Sequence, residues 1–248
     1  MAVSARAYIE EAIAGLHRLQ DSQQGPIEAA ADGLVEAITG GRKIFAFGAS
    51  HSFILAQEMV YRTGGLMLVN PIYPHGMNLS VRPITLTSQL ERLEGLGSTL
   101  LEGNPTAEGD VLIIASTSGR NAIVIDMALA AAEMGLMTIA ITSLQYSQQV
   151  DSRHSSGKKL YELCDVVIDN CAPLGDAAVE IEGFPQAVGP LSSVLGCAVV
   201  NAIAAEVVQK LVDRGMTPPV FVSANMPGGD EHNAKLLAEN ADRIFYMD

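Results

Sequence analysis

At 248 residues, with 48% hydrophobic and 17% charged residues, the chain can bury a large core and has a globular rather than a disordered composition. Its 15 basic and 28 acidic residues leave a net charge of −13, which argues against nucleic acid or an anionic membrane as a general partner. Any anion must be held by local groups. Three cysteines, Cys164, Cys171 and Cys197, have no paired spacing of the metal-binding kind and read as cytosolic thiols.

The chain opens with two amphipathic helices. Residues 4–20 bring Ala7, Ile9, Ile13, Leu16 and Leu19 near one face, and residues 26–38 repeat the pattern before Gly40 and Gly41 stop it. Glu10 and Glu11 stand where a signal peptide would need an apolar core, so a cytoplasmic location is expected. Short apolar runs follow at 43–48, 66–70, 111–116, 137–142 and 166–169, with the length and β-branched content of buried strands. Helical patterns separate them, at 53–63, 122–134 and 191–214. Strands alternating with helices predict a parallel sheet covered on both faces. The proline-containing segment 70–109 is expected to form loops and short helices beside a cleft. The longest apolar region, 194–208, is interrupted by Asn201 and Glu206 and falls short of the about 20 residues that span a membrane. One domain is expected over 1–248: helices at 1–42, a core at 43–214 and a C-terminal extension at 215–248.

Two serine-rich turns follow predicted strands: "GASHS" at 48–52 and "STSGRN" at 116–121. Ligands of open parallel sheets bind at such strand ends, where backbone N–H groups, helix starts and hydroxyl donors favour an anion. N-capping alone would explain one such turn. Two at strand ends, with Ser50, His51, Arg120 and Asn121 embedded, point to a phosphate cup. A dinucleotide turn would need glycines where Ser50 and Phe53 stand, and Asn70 occupies the place of a ribose-binding acid. The chain carries no P-loop string, no Gly-x-Ser-x-Gly elbow and no His-x-x-x-His pair, so neither cofactor nor metal is expected.

The segment "GASHSFILA" resembles the Gly-x-Gly-x-Ser-x-x-x-Ala turn of the SIS (sugar isomerase) family of phosphosugar-binding domains, with Gly48, Ser52 and Ala56 in register. "ASTSGRN" is similar to that family's second turn, with Ser116 and Ser118 in register, and "VEIEGFPQAVGPLSS" resembles its Glu and Ser/Thr segment, marking Glu180 and Ser192 or Ser193. The chain looks most like the stand-alone members with "STSGRN" and "SRHSSGK" segments. The resemblance implies a three-layer αβα sandwich with a five-stranded parallel sheet, a flavodoxin-like arrangement, assembled as a homodimer or higher oligomer. It further implies phosphate contacts from Ser52, Ser116, Thr117 and Ser118. Two positions depart from the pattern: Ser50 replaces the middle glycine, and Arg62 stands where several members place a catalytic Glu.

Isomerisation of a sugar, or elimination from it, needs a base beside a carbonyl or imine carbon, and neither reaction requires a metal. Three candidates present themselves. Glu58 lies about a turn and a half of helix beyond Ser52, Glu180 lies in a loop beyond the last core strand, and His154 lies within the "SRHSSGKK" cluster. The expected function is a phosphosugar isomerase, or a dehydratase or etherase-type lyase, acting on an amino- or acetamido-hexose 6-phosphate. The alternative is a phosphosugar sensor without catalysis that regulates a partner protein.

Overall fold

The structure, a computed structural model, describes residues 3–247. Two helices, α1 (Val3–Ser22) and α2 (Gln24–Thr39), lead into β1 (Ile44–Gly48) and α3 (Phe53–Met59). Next come β2 (Val69–Pro71), the short helices α4 (Leu86–Leu90) and α5 (Leu96–Glu102), β3 (Val111–Ala115), α6 (Ala122–Glu133), β4 (Met137–Thr142), α7 (Leu144–Gln148) and β5 (Val166–Asp169). A hairpin of β6 (Ala177–Val179) and β7 (Val188–Pro190) precedes α8 (Ser192–Asp213) and α9 (Gly229–Glu239).

Strands β1 to β5 form one parallel sheet in the order β2-β1-β3-β4-β5. Alternation along each strand divides the core in two. Ile44, Ala46, Val111, Ile113, Ile139 and Ile141 join side chains of α1, α2, α3 and α8 on one face. Phe45, Phe47, Leu112, Ile114 and Ala140 join α5 and α6 on the other. Both faces are therefore covered, which is why the strands read as continuous apolar runs, and the result is a three-layer αβα sandwich. Each fully buried Phe or Ile contributes about 1.5–3 kcal/mol relative to exposure.

Several boundaries differ from the sequence expectation. Helix α3 stops at Met59, not at 63, because Val60 is extended and Tyr61 takes φ +49°. Residues 66–68 are buried but lie outside the sheet: Leu66 bridges Val220 and the Met67 N–H donates to the Pro219 carbonyl. Strand β2 begins only at Val69. Its Asn70, far from binding a ribose, uses its buried amide to receive the Phe245 N–H (2.7 Å) and donate to the Arg243 carbonyl (2.8 Å), fastening the C-terminal segment beside this edge strand. Neither the β6–β7 hairpin nor α9 was foreseen. Helix α8, at 22 residues, exceeds the apolar run counted from sequence and is long and apolar enough to cross a membrane; Leu195, Val199, Ile203, Val207 and Leu211 nonetheless face the protein core.

Candidate functional site

In this sheet order the chain moves outward in opposite directions from β1 and β3, which creates a crevice at their carboxyl ends. A cavity of about 360 Å³ lies there. Both serine turns line it, joined by Glu91, Val124, Tyr146, Asp176 and the start of α8.

The first turn owes its path to two residues. Gly48 leaves no room for a Cβ against the Ser52 backbone, so the chain folds tightly back on itself. Ser50, where the resembling turns carry glycine, takes the left-handed φ of +53°. That conformation costs an L-residue about 1–2 kcal/mol, offset here by the Ser50 N–H donating to the Met77 carbonyl (2.8 Å) and its hydroxyl donating to Thr87 Oγ1 (3.2 Å). His51 is exposed and lines the cavity. Ser52 enters α3 without capping it.

The second turn runs from β3 into α6. Ser116 Oγ accepts from the Gly119 N–H (3.3 Å), which leaves its own proton available. The Thr117 carbonyl receives the Ser143 N–H and the Thr142 hydroxyl, so the backbone here is fixed while its side chain faces the cavity. Asn121, at the N-cap position of α6, does not cap it; its amide reaches across to Glu91 Oε2 and receives the Arg153 guanidinium (3.0 Å). N-capping therefore accounts for neither turn. Among the described residues the hydroxyls of Ser52, Thr117 and Ser118 have no hydrogen-bond partner. Polar groups gathered in a concave site without partners are what a polar ligand requires.

The structure brings Ser50, His51, Ser52, Ser116, Thr117, Ser118, Asn121 and Ser192 to one cavity. Ser192 is already committed: its hydroxyl donates to Asp176 Oδ2 (2.6 Å), and Asp176 Oδ1 also accepts the Leu191 and Ser192 N–H groups. Asp176 is thus the cap of α8, and the neighbouring Ser193, also lining the cavity, is the less encumbered hydroxyl. Arg120 is not part of the lining, although its Nε is buried without a partner.

None of the three acid–base candidates chosen from sequence lines the cavity. Glu58 faces α8, accepting from Asn201 Nδ2 (2.9 Å) and pairing with Arg62 (3.1 Å). Glu180 is exposed at the end of β6. His154 is fastened to Asp126 on α6 by a 3.0 Å contact from Nε2, with Ser156 Oγ 2.7 Å from Nδ1. The carboxylate the sequence reading missed is Glu91. No motif marks it; it stands just past α4 and is brought to the cavity by packing of α5 on α6, where Gly97 leaves no room for a Cβ against the Ile123 carbonyl.

The thiols are unsuited to nucleophilic work. Burial pushes Cys164 up to about 12 and raises Cys171 and Cys197. Among the described residues no group of three His, Cys, Asp or Glu side chains could hold a metal ion.

The SIS domain model matches residues 7–143. The chain belongs to the SIS-domain family. It is 44% identical to the UPF0309 protein of Shouchella clausii, over 97% of this chain and 100% of that protein. Among solved structures, a phosphoheptose isomerase from Francisella tularensis shares the fold with TM-score 0.57 at 13% identity, covering 83% of this chain and 96% of that one. The Vibrio vulnificus NanR protein complexed with ManNAc-6P matches with TM-score 0.53 at 14% identity, covering 96% of this SIS-family chain and 70% of its own.

Proposed function

We propose that the protein binds a phosphosugar in the serine-lined cavity and moves a proton at the carbon beside the sugar carbonyl, an isomerase-type reaction. The observation that carries this reading is the convergence of two strand-end turns, with unpartnered hydroxyls, on a cavity that also holds a carboxylate. Ser52, Ser116, Thr117 and Ser118 are the donors for the phosphoryl oxygens, and Ser193 lies within the same lining. The sugar then extends toward Glu91 and His51.

Glu91 is the base. Asn121 holds one of its carboxylate oxygens, and the other has no protein donor among the described residues. In that role the carboxylate takes the C2 proton of an open-chain aldose and the electron pair moves into a C1–C2 enediolate; the C2 hydroxyl gives up its proton while O1 gains one, and Glu91, after exchange with water, delivers a proton to C1 to give the ketose. His51, at the mouth, can exchange a proton with the developing alkoxide. An amino- or acetamido-hexose 6-phosphate is the substrate class to try first; its C2 carries nitrogen, so the same proton abstraction would be followed there by reprotonation at C2 or by elimination from C3, while a 2-hydroxy aldose would give the ketose. ManNAc-6P, named with the Vibrio vulnificus fold neighbour, is of that kind.

The test is to incubate the protein with sugar phosphates in deuterated water and follow deuterium at the carbon beside the carbonyl. Incorporation supports the isomerase reading. Binding without incorporation across the panel would leave a sensor in its place. Self-association is a second part of the proposal: Ile9, Ile13 and Leu16 form an exposed apolar stripe on α1, beside a groove of about 490 Å³ shared with α2 and α8.

A further inference from the structure

Asn121 and Glu91, which meet in the wall of the cavity, are surrounded by three arginines. Arg120 and Arg92 adjoin them in sequence, and Arg153 donates both its guanidinium to Asn121 Oδ1 (3.0 Å) and its backbone N–H to the Arg120 carbonyl (2.8 Å). The chain carries 28 acidic and only 15 basic residues, yet none of these three arginines forms an ion pair among the described residues. Arg120 Nε is buried and has no hydrogen-bond partner. The guanidiniums also work against one another: desolvation and then the charges of Arg120 and Arg92 lower the pKa of Arg153, with Tyr146 and Glu91, both lining the cavity, opposing the shift.

A folded chain gains nothing from holding like charges together, one of them with a buried unpaired donor, when acids are plentiful elsewhere. Guanidinium forks match planar or tetrahedral oxyanions with two parallel hydrogen bonds, so the arrangement fits an anion that arrives from outside. Arg120 and Arg153 do not line the cavity themselves but stand behind Asn121 and Glu91, which do, and they are distinct from the serine hydroxyls that would hold the phosphoryl group.

Resting on the phosphosugar reading above, we propose that the preferred ligand within that class carries a second oxyanion, a carboxylate or another phosphoryl, which a plain amino- or acetamido-hexose 6-phosphate lacks: one phosphoryl group sits in the serine cup and the second oxyanion beyond Asn121, against Arg153 and Arg120. Specificity for an acidic sugar phosphate would then reside in these arginines. No covalent step is involved.

Matched ligand pairs provide the test. Calorimetric titration compares 6-phosphogluconate with glucose 6-phosphate, and fructose 1,6-bisphosphate with fructose 6-phosphate. Each pair shares a phosphate and differs in the group at the other end. The expected result is a preference of about tenfold or more for the doubly charged member of at least one pair, and which pair shows it identifies carboxylate or phosphoryl as the second group. In Arg153→Gln, at an exposed position, that ratio should fall toward one. Arg153→Lys keeps the charge without the fork and should retain part of it. Equal binding within both pairs overturns the second-anion inference and leaves the serine cup standing, as does a ratio untouched by Arg153→Gln and Arg120→Lys. Binding of none of the four ligands sinks the phosphosugar reading and this inference with it.

Discussion

The turn after β1, "GASHS", and the loop at 152–158, "SRHSSGK", offer nearly the same side chains, and the structure treats them in opposite ways. In the loop the histidine and the serines, though not Arg153, are spent internally. His154 binds Asp126 and Ser156, while the Ser155 hydroxyl and N–H both donate to Glu94 (2.7 Å each). In the turn, the Ser52 hydroxyl is left without a partner and His51 stands exposed at a cavity. Residue type alone does not separate a site from a brace. The accounting of hydrogen-bond partners does, because a folded chain leaves polar groups unpaired chiefly where a ligand or water will pair them.

The comparison is broken most severely if Glu91 is dispensable. Glu91→Gln keeps an oxygen for Asn121 while removing the proposed base, and should reduce deuterium incorporation or turnover by about 10²–10⁴-fold; a rate near that of the unaltered protein would remove Glu91 from the chemistry. Next in size is the contrast between Ser118 and His154. Ser118→Ala should weaken phosphosugar binding about tenfold or more at unchanged Tm, since it deletes a donor to a charged group. His154→Asn should do the reverse, leaving affinity in place and costing about 1–3 kcal/mol, because it removes the partner of Asp126 Oδ1 in a buried site where only Oδ2 keeps a donor, the Gly95 N–H. Differential scanning calorimetry would show this as a Tm lowered by several degrees. If His154→Asn abolished turnover without changing Tm, the brace reading of the loop would be wrong.

Smaller effects sharpen the picture. Ser50→Gly removes left-handed strain but also loses the bond to Thr87 and adds unfolded-state freedom, so stability should change by no more than about 1 kcal/mol. A larger loss in urea unfolding would mean that the hydroxyl matters more than the backbone. The smallest effect concerns Glu94, whose carboxyl is held below its ordinary range first by the Ser155 hydroxyl, then by the Ser155 N–H. A depressed folded pKa means that this contribution is present above the ordinary carboxylate value and is lost as pH falls through the lowered one. The protection factor of the Ser155 amide, its exchange rate relative to the intrinsic one at each pH, should therefore fall on acidification, and Glu94→Gln should blunt the change.

The sheet was legible in the sequence because burial on both faces leaves β1, β3, β4 and β5 as unbroken apolar runs. It failed where the local signal was ambiguous. Residues 66–68 are as apolar as a strand because residues 219–221 and Tyr246 cover them, not because they lie in the sheet. The β6–β7 hairpin has strands of three residues each, too short to display alternation. The two serine turns were legible because hydroxyls cluster at strand ends, where an α/β sheet gathers its ligands. Glu91 was not, since it reaches the cavity only through the packing of α5 and α6. His154 drew attention by its neighbours, and only the position of Asp126, distant in sequence, shows what it holds.

In the proposed site, unpartnered serine hydroxyls hold a phosphoryl group. Calorimetric titration of an acetamido-hexose 6-phosphate and its unphosphorylated sugar, into the unaltered protein and into the double variant Ser52→Ala/Ser118→Ala, tests it most directly. Binding of the phosphorylated sugar alone is expected, weakened about a hundredfold or more in the double variant at unchanged Tm. Equal affinity for the two sugars, or full affinity in the double variant, would contradict it.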